Sequence, residues 1–90
     1  MSEKPLVLSE HAHWRAARRG IDQATVLEVA AAPEQVVPVR PGREIRQSRR
    51  EDPILGKRYL VRVVVDTRAD ADTVITAYRS SKLDKYWRTP

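Results

Sequence analysis

Apolar positions recur at helical spacing in the first third of the chain and switch to alternation after about residue 42. Leu6, Val7 and Leu8 form an apolar lead-in, Ser9 follows as an N-cap, and Glu10 suits a first helical turn. This first helix runs to about Arg19 and stops at Gly20, a residue that tolerates the positive φ of a helix exit. Asp22 caps a second helix over about 23–32, closed by Pro33. Its Val26, Leu27, Val29 and Ala30 make an apolar stripe, and Glu28 points away.

The stretch 33–42 holds three prolines and reads as extended and irregular, with Val36 and Val37 available to pair weakly or to pack on the helices. A polar strand is expected over 43–50. The clearest strand is 58–66, rich in aromatic and β-branched residues, and a third follows at 73–80. Tyr59, Val61, Val63 and Val65 share one face of the second strand. Its other face mixes Leu60, Arg62, Val64 and Asp66, as in a central, partly exposed strand. The tail 81–90 forms either a helical turn around Leu83, Tyr86 and Trp87 or a fourth extended segment. The expected fold is α+β: two N-terminal helices packed on a three- to four-stranded antiparallel meander, in the order ααβββ. It is expected to be one domain over 1–90, with tails at 1–8 and 81–90.

Composition narrows the class. Ninety residues, 41% hydrophobic and 32% charged, make a single globular domain with a small core. The absence of cysteine excludes disulfides, thiolate zinc sites and cysteine nucleophiles. No apolar run approaches the roughly 20 residues that span a bilayer, and the start of the chain is too short for a signal peptide. A cytoplasmic protein without membrane contact is expected. Walker loops, dinucleotide fingerprints and nucleophile elbows are absent, and no cofactor is implied.

Charge adds a direction. Thirteen of the 17 cationic residues are Arg, and the formal net charge is +5. A guanidinium fork matches phosphate oxygens and stacks on bases, although Arg-favouring codon usage produces the same bias. The sharpest concentration is on the first helix. At roughly 100° per residue, Arg15, Arg18 and Arg19 fall within about 80° of His11. Folding needs no such face, and its cations repel one another, so a polyanion or internal carboxylates must offset them. His11 and His13 point about 200° apart on a helix and make a poor metal pair; no metal site is expected.

Two further sets of cations stand beside blander readings. In 78–88, Tyr78, Arg79, Lys82, Lys85, Tyr86 and Trp87 interleave cations with aromatics, as single-strand nucleic-acid binders do. Alternatively, Leu83, Tyr86 and Trp87 pack on the core. Arg43, Arg46, Arg49, Arg50, Lys57 and Arg58 line the first hairpin, where charge also protects strand edges from aggregation. Candidate nucleic-acid contacts are Arg18, Arg46, Arg62, Lys82 and Lys85.

The pattern His11-Ala12-x-x-Arg15-x-x-x-Arg19-Gly20-Ile21, the second helix ending near Pro33, the Val-rich strand and Val74-Ile75-Thr76-Ala77-Tyr78-Arg79 resemble a bacterial and phage family of unknown function. That family looks related to RelE-like toxins, within the barnase-, colicin- and RelE-type ribonuclease folds. The likeness covers about Leu8 to Trp87. It implies the toxin of a toxin–antitoxin pair: a metal-independent endoribonuclease acting on RNA, free or on the ribosome, and restrained by a small acidic antitoxin. His11, Arg15 and Arg19 match the signature's polar positions, and Tyr78 and Arg79 match the polar end of the last strand. His11 is then the proton-transfer group, and Arg15, Arg19 and Arg79 hold the phosphate. Tyr78 stacks a base or donates a proton. The alternative is a non-catalytic basic module that binds nucleic acid or an acidic protein.

Overall fold

The computed structural model describes residues 4–89. Ser9 Oγ accepts from the Ala12 N–H at 3.1 Å and opens α1 (Glu10–Arg18); the same hydroxyl donates to Val74 O at 2.9 Å. Gly20, at φ 71°, ends the helix in a paired turn. Its N–H donates to Ala17 O at 3.1 Å, and the N–H of Ile21 donates to Ala16 O at 2.9 Å. The Asp22 carboxylate accepts from the Thr25 N–H at 2.8 Å and starts α2 (Gln23–Ala31). That hydrogen bond holds the Asp22 carboxyl below its ordinary range.

Both helices bury small or β-branched residues against one sheet face. Ala12 and Ala16 of α1, and Val26, Val29 and Ala30 of α2, close over Val61, Val63, Val65, Val74 and Ala77. These five lie on β4 (Arg58–Asp66) and β5 (Asp72–Ser80), which pair antiparallel with a register shift between Val64 and Val65. On the other side, β4 pairs antiparallel with β3 (Arg43–Glu51), Val63 facing Arg46 and Val61 facing Ser48.

Strand number and order depart from the expected three- to four-stranded meander. The sheet has five strands, β1-β5-β4-β3-β2, and is mixed. The lead-in expected as a tail is β1 (Leu6–Leu8), parallel to β5, with Leu6 opposite Asp72 and Leu8 opposite Val74. The open edge of β5 supplies unpaired backbone groups there, and half-buried Leu6 and Leu8 extend the core. The stretch expected as irregular contains β2 (Gln35–Arg40), antiparallel to β3. Pro38 lacks the N–H a central strand needs, so β2 sits at the outer edge, where the register shifts between Pro38 and Arg40. The C-terminal tail takes the helical option as α3 (Leu83–Tyr86).

α3 and the residues after it lie over the second sheet face. Gln47 Nε2 donates to Tyr86 O at 3.1 Å, and the Arg88 N–H donates to Gln35 Oε1 at 3.1 Å. This face holds fully buried Leu60 and Gln47, with Arg62 6% exposed. Among the described residues no helix is long and apolar enough to cross a membrane.

Candidate nucleic-acid interface

The α+β frame neutralises some cations of the chain and leaves others without a carboxylate. Those of β3 and the loop after β4 are neutralised. Arg46 meets Asp72 at 2.8 Å and Glu44 at 2.7 Å, Arg49 meets Glu34 at 2.9 Å, and Arg50 meets Glu28 at 3.2 Å. Arg68 and Arg43 share Asp66, at 2.7 and 3.9 Å. Burial raises the Asp72 carboxyl, but hydrogen bonds from Lys4 and Arg46 outweigh it and leave it below its ordinary range. Glu34 is held low by hydrogen bonds from the side chain and backbone of Arg49.

The cations of α1 are among those without a carboxylate, as are Arg40, Lys57, Arg58, Arg62, Arg79, Lys82, Lys85 and Arg88 among the described residues. His11, Arg15, Arg18 and Arg19 are all exposed, and among the described residues no carboxylate pairs with the three arginines. Arg19 reaches across to β5, donating to Ala77 O at 2.8 Å and to Thr76 Oγ1 at 3.2 Å. The short β1 pairs only with Asp72 to Val74, so this guanidinium occupies the edge beyond it.

Trp14 organises this face. Half its surface is exposed, 54%. The Arg18 guanidinium carbon lies 4.8 Å from its ring centroid, and the His11 ring is near-parallel to it at 6.3 Å and 21°. Two hollows share it as a wall. Trp14, Arg15, Arg18 and Arg19 line one of about 420 Å³. Leu8, Glu10, His11, His13, Trp14 and Gln23 line the other, about 780 Å³. Sequence reasoning passed over Trp14, although the signal was present: at roughly 100° per residue it lies about 180° from the Ala12/Ala16 stripe.

The five residues expected to be catalytic do not form one cluster. Arg15 and Arg19 share the cationic hollow, and His11 lines the other. Arg79 lies at the end of the sheet, its guanidinium 5.6 Å from the Tyr59 ring, in a cleft of about 280 Å³ with Lys57, Arg58, Ser80 and Ser81. Its Nη2 also approaches Gly20, where a side-chain Cβ would stand 3.7 Å away. Tyr78 is on the opposite sheet face, where its hydroxyl accepts from Arg62 Nη1 at 2.6 Å.

The cations expected to contact nucleic acid also divide. Arg18, Lys82 and Lys85 are exposed. Arg46 spends its donors on Glu44, Asp72 and Ala30 O, and Arg62 spends its own on Gln47 and Tyr78 beneath α3. Trp87 is half-buried with the Arg49 guanidinium 4.2 Å from its ring, which joins the core and cation readings of that segment. Among the described residues no cluster of three or more His, Asp or Glu side chains is placed to hold a metal ion.

Fold and site together define a small basic α+β protein with a cationic, aromatic helix turned to solvent. The chain belongs to the DUF4258 family, a domain of unknown function, which it matches over residues 8–79. No curated protein and no solved structure matches it.

Proposed function

We propose that this protein is an RNA-directed toxin of the RelE-like kind: it binds RNA through the outer face of α1, cleaves it without a metal, and is restrained by an acidic partner protein. The observation that carries this reading is the gathering of three arginines without carboxylate partners around one hollow on α1. The β3 arginines Arg43, Arg46, Arg49 and Arg50 each meet a carboxylate, whereas Arg15, Arg18 and Arg19 meet none among the described residues. A phosphodiester backbone offsets such a face and releases its own counterions in doing so.

In this reading the substrate's 2′-hydroxyl is the nucleophile. His11 takes its proton, and Arg15 and Arg19 stabilise the charge growing on phosphorus-bound oxygen. The bond to the 5′-oxygen breaks as that oxygen takes a proton from water, a 2′,3′-cyclic phosphate is left, and the proton held by His11 returns to solvent. Arg79 contacts a flanking phosphate. Tyr78 has no part in this step, because it lies on the far face of the sheet.

That separation favours a second reading, a binding module without catalysis. The test is to incubate the full chain with single-stranded RNA in excess chelator and analyse the ends. Cyclic phosphate termini that fall about 100-fold in His11→Ala support the nuclease. RNA bound and left intact supports the module, and RNA neither bound nor cut overturns both. Growth arrest on expression, relieved in Arg15→Ala, supports the toxin role.

A further inference from the structure

We infer that Trp14 is the stacking wall of a nucleotide site that reads the unpaired base of a single RNA strand. The inference rests on the RNA-directed reading above and adds the form of RNA and the group recognised. Its starting point is that the two hollows meeting at Trp14 have opposite chemistry. One is walled by three guanidiniums that no described carboxylate neutralises. The other is lined by Leu8, Glu10, His11, His13 and Gln23. The first matches phosphate. The second matches a base, which needs an apolar flank and donors and acceptors at its edge.

A nucleotide has the same division, a charged phosphate joined through a sugar to a flat heterocycle. Straddling Trp14, it places its phosphate on Arg15 and Arg18 and its base on the imidazole side of the indole. The His11 and Trp14 rings are near-parallel with centroids 6.3 Å apart. The His11 side chain is exposed, so its rotation leaves that side of the indole to a base. The Arg18 guanidinium, 4.8 Å from the indole centroid, already lies over the ring.

A paired base cannot enter, because both its faces and its edge are already engaged in the duplex. The site therefore selects single strands, whereas the arginines alone bind any polyanion. Trp14 lies outside the core, so its replacement leaves the fold in place.

The experiment compares binding of a labelled oligoadenylate of about ten nucleotides with binding of a duplex of the same length. Trp14→Ala is expected to weaken the single strand roughly 10- to 100-fold and the duplex less than about twofold, with Trp14→Phe recovering most of the loss. In Trp87→Phe, which leaves Trp14 as the one tryptophan of two, oligoadenylate is expected to quench the fluorescence. Equal losses for duplex and single strand in Trp14→Ala, or no loss at all, overturn the base-stacking site while leaving RNA binding intact. Adenosine monophosphate competing as well as the strand, nucleotide for nucleotide, also overturns it in favour of a free nucleotide. Failure of the unaltered chain to bind any RNA instead removes the functional reading beneath it.

Discussion

The Arg62 guanidinium carbon lies over the Tyr86 ring, 4.2 Å from its centroid. The Tyr78 ring flanks it at 5.6 Å, and Gln47 Oε1 accepts from its Nε at 2.9 Å. Only 6% of this residue is exposed, and no described carboxylate neutralises it. Burying a lone charge costs several kcal/mol, which two π faces and two neutral acceptors offset only in part. Tyr86→Ala is expected to lower stability by about 1–3 kcal/mol in urea unfolding, since it strips a ring from the guanidinium. Arg62→Met, apolar and of similar length, is expected to change stability by less than about 1 kcal/mol or to raise it. A larger loss in Arg62→Met than in Tyr86→Ala would contradict this account.

Arg46 joins three elements. It donates to Ala30 O at the end of α2 at 2.9 Å, to Glu44 beside it on β3 at 2.7 Å, and to Asp72 at the start of β5 at 2.8 Å. Both partners of the Asp72 pair are about 15% exposed in their side chains, 15% and 14%. Removing the guanidinium leaves Asp72 with Lys4 alone and takes the donor from a helix-end carbonyl. Arg46→Ala is therefore expected to cost about 2–4 kcal/mol in equilibrium unfolding. RNA affinity at a temperature where the variant stays folded is expected to be unchanged. A weakened RNA complex at constant stability would return Arg46 to the binding surface.

Acid should loosen the β4–β5 turn. The side-chain and backbone hydrogen bonds of Arg68, helped by the charge of Arg43, hold the Asp66 carboxyl down to about 2 from 3.8. Because the folded value is depressed, the stabilisation is complete above the unfolded value and disappears as pH falls through the folded one. Melting temperature is expected to fall between pH of about 4 and about 2. In Asp66→Asn that fall is expected to be shallower, with a lower starting point at neutral pH. An identical slope in the variant would place the acid sensitivity on another carboxylate, Asp72 first.

Local chemistry was legible in the sequence where a single residue decides the outcome. Ser9 and Asp22 accept the cap hydrogen bonds expected of them, Gly20 takes the positive φ at the helix exit, and Val61, Val63 and Val65 form the buried face. The parallel β1 was hidden because three residues carry no period, and their strand character comes from the edge of β5, far along the chain. β2 was hidden by Pro38, which reads as a breaker but is admissible on an outer edge. At the site, the cationic face of α1 could be read from helical spacing alone. The distribution of carboxylates could not, because partners such as Arg46 and Asp72 meet only through the fold. The separation of Tyr78 from Arg79 was accessible in principle, since neighbours on a strand point to opposite faces.

If α1 binds phosphates through unneutralised guanidiniums, the affinity must carry their number in its salt dependence. Each phosphate neutralised on a single strand contributes a slope of about −0.7 in log K against log salt concentration. With Arg15, Arg18 and Arg19 engaged, the slope for single-stranded RNA is expected near −2. Arg18→Ala and Arg15→Ala should each make it shallower by about 0.7, uniformly across base composition. Arg49→Ala serves as the control, since that guanidinium is already committed to Glu34 at 2.9 Å, and its slope should match the unaltered chain. Trp14→Ala should weaken binding and leave the slope alone, because stacking releases no counterion. A slope that stays the same in Arg15→Ala and Arg18→Ala but changes in Arg49→Ala would move the RNA path from the helix to β3.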